Sequence, residues 1–195
     1  STVYELAVDR VVNVTGAEFS FTFRSFGLGF SYNRDELVAS AKLGMPLDTM
    51  RATACREGLA QYLDAVCATG DSTFGLKGLL NLANTEVYTT PAGAATGKNW
   101  IGTNKKTPDE IIADLNAMKR QIIVNSKEVE SPKRLILPTE LHEYIGNTRL
   151  GSVNDTTILK FWRENNPEVE IVRWERCAGA GVSSSNRIVM YDPNI

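Results

Sequence analysis

The fold hinges on residues 47–81, LDTMRATACREGLAQYLDAVCATGDSTFGLKGLLN. Leu47, Met50, Ala54, Leu59, Tyr62, Leu63 and Val66 recur at spacings near three and four. Arg51, Arg56, Glu57 and Asp64 supply much of the opposite, polar face. The spacing predicts one helix from Leu47 to Thr69, about twice the mean length of a globular helix. Gly70 stands where a helix C-cap glycine belongs. Gly70 to Asn81 is then a polar, glycine-punctuated loop that ends in a Leu-Leu pair. A helix so long, with a single apolar stripe, needs an extended surface to cover it. The next stretch, LANTEVYTTPAGAATGKNWIGTNKK (residues 82–106), carries almost no core signal.

Upstream of the helix, Asp35 can cap a short helical turn that carries Leu37, Val38 and Ala41, and Gly44 and Pro46 interrupt it. Before that, VYELAVDRVVNV and EFSFTFRSFGLGF alternate with period two around Thr15-Gly16. Phe19, Phe21 and Phe23 share one face of the second run. Two extended strands forming a ribbon are expected, and a two-stranded ribbon is marginal unless it lies on something else.

Downstream, TPDE starts a helix with Thr107 as N-cap, Pro108 in the first helical position and Glu110 closing a capping box. Ile111, Ile112, Leu115, Met118, Ile122 and Ile123 form its expected buried stripe. RLILP reads as a strand and TELHEYIG as a short helix ending at Gly146. NDTTILKFWREN reads as a capped helix with Ile158, Leu159 and Trp162 inward. EVEIVRW and RIVMYD are two further strands, separated by a loose CAGAGVSSSN. The order implies an α+β arrangement, a mixed sheet with helices against it.

Composition bounds the function. The chain has 195 residues, 43% apolar and 23% charged, and its 21 basic and 23 acidic residues give a net charge of −2. No strongly basic field exists to grip nucleic acid. No apolar run approaches the length of a membrane span, so no membrane partner is expected. Three cysteines without close pairing, Cys55, Cys67 and Cys177, are expected to be reduced thiols.

Motifs for chemistry fail on inspection. PAGAATGKN lacks the first glycine of a phosphate loop, has Asn99 in place of the hydroxyl residue, and reads as a flexible Gly/Ala loop. AGAGV lacks the third glycine and the helix of a dinucleotide turn. His142 is the single histidine, expected on a solvent-facing helix surface. With Glu140 and Glu143 it makes too thin a set for a metal. No catalytic, cofactor-binding or metal residues are assigned, and no cofactor is expected. A small thiol-dependent enzyme using Cys177 or Cys67 with His142 is the alternative from another functional class.

The order SYNRDELVASAKLGMPLDTMRATACREGLAQYLDAVCATGD…FGLKGLLN, followed by TPDEIIADLNAMKRQIIV…PKRLILPTELHEYIG…NDTTILKFWRENNPEVEIVRW…NRIVMYDP, resembles the major capsid proteins of tailed bacteriophages, with the Hong Kong 97-type shell fold. The resemblance covers roughly residues 30 to 192. It implies an extended β ribbon at residues 1–32, a peripheral-domain segment with a spine helix and connector at 33–106, and an axial-type α+β domain at 107–195. It further implies a non-enzymatic subunit of a phage or prophage shell, self-associating as hexamers and pentamers around DNA held without sequence-specific binding. Portal and scaffold proteins are possible partners; the expected location is the virion capsid, and host cytoplasm during assembly.

A bacterial nanocompartment shell protein is the alternative within the same architecture. The family is normally longer at both ends, which implies that an N-terminal arm and final peripheral strands lie outside this chain. Candidate subunit-interface residues are Phe19, Phe21 and Phe23 for ribbon packing, with Arg51, Arg56, Glu57 and Asp64 for ion pairs between subunits. The crosslink that some relatives form is not carried over to Lys42, Lys77 or Asn81.

Overall fold

The structure, a computed structural model, describes residues 24–83, 85–151 and 155–193. Residues 24–33 contain neither helix nor strand, and the remainder of the expected ribbon lies outside the described residues. The chain divides between Leu59 and Ala60 into two compact units. That division falls within a helix.

In the first unit, α1 spans Arg34–Leu43. Its N-cap is Asn33 rather than the expected Asp35. Asn33 and Glu36 form a capping box, and Asp35 sits in the first turn, where its charge suits the helix dipole. Gly44 ends the helix in the left-handed conformation, φ 64°, as a glycine C-cap does. No residue of α1 is buried. Pro46 then precedes α2, Leu47–Thr69, which has the bounds expected from its periodicity.

The second unit begins within α2. Gly70, at φ 75°, turns the chain out of the helix, and a Cβ there would lie 2.1 Å from the carbonyl oxygen of Leu76. The chain then doubles back. Leu79 N–H donates to Cys67 O (2.8 Å) and Leu80 N–H to Ala68 O (2.9 Å), while the Asn81 side chain donates to Thr69 O. Helix ends leave carbonyls without partners, and here the GLLN segment supplies the donors. Gly78 permits the approach, because a Cβ at that position would meet the Ala68 carbonyl at 2.5 Å.

Residues 82–106 are seated more firmly than their composition suggests. Trp100 and Lys106 are buried. The turn at residues 93–97 closes through Gly93 N–H to Gly97 O (2.8 Å), and Ala94 N–H donates to Glu110 Oε1 (2.6 Å). The expected flexible loop is therefore pinned by the same carboxylate that caps the next helix.

That helix, α3, is Pro108–Asn125, with the Thr107–Glu110 capping box in place. Its stripe is graded: Ile111 and Leu115 are buried, while Ile112, Met118 and Ile122 are half-buried against the same core. There follow β1 (Arg134–Leu137), α4 (Thr139–Asn147), α5 (Ile158–Asn165), β2 (Glu170–Arg173) and β3 (Val189–Tyr191). The sheet order is β2-β1-β3, with β1 parallel to β2 and antiparallel to β3.

Because side chains alternate along β1, its two faces enter different cores. Leu135 and Leu137 join Ile111, Leu115, Leu141, Ile145, Ile158 and Trp162 beneath the helices. Ile136 points to the other face, with Ala68, Leu80 and Cys177. Each fully buried aliphatic side chain here contributes about 1.5–3 kcal/mol of transfer free energy.

Candidate assembly surfaces

In the first unit the charged candidate Arg51 is engaged within its own chain. Its guanidinium reaches Glu36 Oε2 at 2.6 Å and the carbonyl of Ser31, and it lies 5.2 Å over the ring centroid of Tyr32. Tyr32 in turn meets Phe30 edge-to-face at 5.5 Å. The Asn33 backbone N–H and then Arg51 hold the Glu36 carboxyl below its usual value, so the pair stays charged at neutral pH. Arg56 and Glu57 are exposed on α2.

In the second unit Asp64 is likewise taken. Its carboxylate accepts from Trp174 Nε1 at 2.7 Å and Arg176 Nε at 2.8 Å. The Arg176 bond, then the indole bond, lower its pKa. Of the four spine charges expected at an interface, Arg51 and Asp64 thus make intrachain pairs. Phe19, Phe21 and Phe23 lie outside the described residues.

The helix also leaves apolar side chains open. Met50 is 51% exposed, and Tyr62 and Leu63 are also exposed, so the stripe predicted to be covered is bare over much of its length in a single chain. Only Ala68 of α2 is buried. In the first unit Leu28, Phe30, Leu37, Val38, Leu43 and Met45 are exposed as well. Sequence reasoning named the charges and passed over these residues. The available signal was the Gly44–Pro46 break, which ends α1 at Leu43 and places Met45 between the two helices.

The second unit also holds a buried polar cluster that sequence reasoning missed. Lys106 Nζ lies 2.7 and 2.5 Å from the two oxygens of Asp114, and Trp100 Nε1 donates to the same carboxylate at 3.0 Å. The ion-pair side chains are 1% and 5% exposed. A buried charge persists only when paired and hydrogen-bonded, and this carboxylate has both kinds of partner. A second polar contact joins α3 to α5, from Trp162 Nε1 to Asn116 Oδ1 at 3.0 Å.

Of the residues considered for thiol chemistry, Cys177 sits in a poor setting for it. Cys177 is fully buried and its thiol is pushed up to about 11 by burial, which disfavours the reactive thiolate. Cys67 is exposed on α2. His142 is half-buried on α4 rather than solvent-facing. Burial first, then the charges of Arg173 and Arg163, lower its pKa. Among the described residues no group of His, Cys, Asp and Glu side chains could hold a metal, and no helix is long and apolar enough to cross a membrane.

Comparison with known proteins bears on these surfaces. A family model described as "Major capsid protein" matches residues 4–194. No curated protein matches. Among solved structures, the capsid of Myoviridae phage XM1 is similar in fold, with a TM-score of 0.62 and 17% sequence identity. The alignment covers 78% of this chain and 51% of that one, so the chain spans about half the length of the phage protein.

Proposed function

The chain belongs to the major capsid protein family, and we propose that it is a non-enzymatic subunit which self-associates into the closed shell of a tailed phage or prophage. The observation that carries the reading is α2, a helix of 23 residues with one buried side chain. Exposed apolar surface of that extent marks an interaction face, and in a shell protein the partner is another copy. The exposed residues of the first unit add to the same kind of surface.

On this reading the described core of the second unit, around β1 and α3 to α5, serves as the axial-type domain. The peripheral-type segment carries the spine, and the ribbon at residues 1–32 packs on a neighbouring subunit. Hexamers and pentamers form by repeated burial of such faces, each contact needing more than about 1,000 Å² to be specific. Portal and scaffold proteins meet this lattice during assembly in the host cytoplasm, and the finished subunit resides in the virion. A net charge of −2 suits a wall that encloses DNA without binding its sequence.

Expression of the complete natural protein, followed by size-exclusion chromatography and negative-stain microscopy, tests the proposal. Rings or closed shells are expected. A strict monomer at high concentration would overturn it.

A further inference from the structure

The second unit carries a groove of about 690 Å³ that no part of the proposed shell contact explains. It runs between connector residues 79, 82 and 85–88, the C-terminal half of α3 and residues 187–192. Six consecutive residues including β3 line it and no residue of β1 does. The groove therefore follows the side of β3 that, among the described residues, has no strand beside it. Met118, Ile122 and Met190 give it an apolar lining. Leu82 and Val87, on the connector, are exposed, Val87 to 68%.

The charges along it are unbalanced. Glu86, Glu130 and Asp192 line it against one cation, Arg187. Asp192 is paired with Lys133 at 3.2 Å, and Arg187 is turned onto the carbonyl oxygen of Leu80. Glu86 is held by the side-chain amides of Gln121 and Asn125, which fix its position and leave its charge in place. The groove thus combines a strand edge unpaired among the described residues, apolar walls and, with Asp192 paired to Lys133, two carboxylates, Glu86 and Glu130, against the one cation Arg187.

We infer that this groove accepts an extended, cationic and apolar segment of a separate polypeptide partner, which adds beside β3 as a fourth strand. A strand edge offers main-chain pairing, and alternate side chains of the added strand fall into the pockets. Because β3 spans three residues, ladder bonds are few, and the apolar and charged contacts supply most of the selectivity. Charge complementarity separates a foreign segment from a second copy. The chain's own alternating stretches, Val3 to Val14 and Glu18 to Arg24, carry three acids and two bases and bring no net positive charge.

Fluorescence anisotropy with a labelled nonapeptide, valine alternating with lysine or threonine, titrated with the 195-residue chain at low salt, tests the inference. Saturable binding with a Kd of about 10–100 µM is expected for so short a strand. Exchanging the lysines for glutamate, or N-methylating alternate peptide nitrogens, weakens it at least tenfold. V87K and E130K, both outside the buried core, each weaken it at least fivefold while the melting temperature stays unchanged. No saturable binding, equal binding of the acidic peptide, or indifference to both variants would overturn the inference. So would peptide binding that disappears as the chain self-associates, which assigns the groove to a second copy.

Discussion

Helix α5 runs for eight residues and buries Ile158 and Trp162 to 0% and 1% exposure, whereas α2 runs for 23 and buries Ala68 alone. α5 gathers its apolar residues on one face, whereas α2, taken over its whole length, spreads them around the helix. They differ as well in what their own chain offers them. α5 meets α3, α4 and the sheet, with an indole-to-amide bond fixing the contact. α2 keeps Met50, Tyr62 and Leu63 in solvent. Periodicity identifies an apolar face; it does not say whether the partner lies in the same molecule.

The contrast can be broken most forcefully inside the packed lobe. Asp114→Asn removes the carboxylate that Lys106 and Trp100 share. It leaves an ammonium buried without a counter-charge, so destabilisation by about 3–5 kcal/mol is expected in thermal or urea unfolding. Gly78→Ala should cost about 1–3 kcal/mol, because its methyl group meets the Ala68 carbonyl and the two segments must separate. Hydrogen exchange should then show faster exchange at the Leu79 and Leu80 amides.

The Asp64 bridge sharpens the comparison through pH. Its folded pKa lies below the ordinary value of 3.8, so its contribution is complete above that value and is lost as pH falls through the folded pKa. Its side chain is 42% exposed, and solvent screening keeps the contribution below about 1 kcal/mol. D64N should therefore melt slightly lower than the parent chain at pH 7, with the gap closing under acid. The smallest effect on folding belongs to Met50→Ser. It should leave the stability of the dissociated subunit within about 0.5 kcal/mol and yet reduce assembly measured by light scattering.

Much of this organisation was legible in the residues themselves. The bounds of α2, the Thr107–Pro108–Glu110 helix start and the strand in RLILP all follow from local patterns that the structure keeps. Local chemistry also held a signal that was misassigned: Asn33 stands three residues before Glu36, which is capping-box spacing, yet Asp35 drew the assignment. The seat of the connector was not legible. Trp100 and Lys106 sit in irregular backbone, where no periodicity marks burial, and only their meeting with Asp114 on α3 explains it.

The intrachain partners of two spine charges were illegible for a related reason. A helical wheel places Arg51 and Asp64 on the polar face, but their partners come from other segments: Ser31 and Glu36 for one, Trp174 and Arg176 for the other. A surface position on a helix is therefore no evidence of a free side chain. The apolar residues around the Gly44–Pro46 break carry the stronger case for contact between subunits.

Methionine oxidation by hydroxyl-radical footprinting tests the central claim most directly, since Met50 is half exposed and Met190 is buried within the same chain. In dissociated subunits of the complete protein Met50 should oxidise much faster than Met190, and in assembled particles it should fall towards the rate of Met190. Met50 reacting as fast in particles as in free subunits would contradict the claim that α2 is covered by assembly.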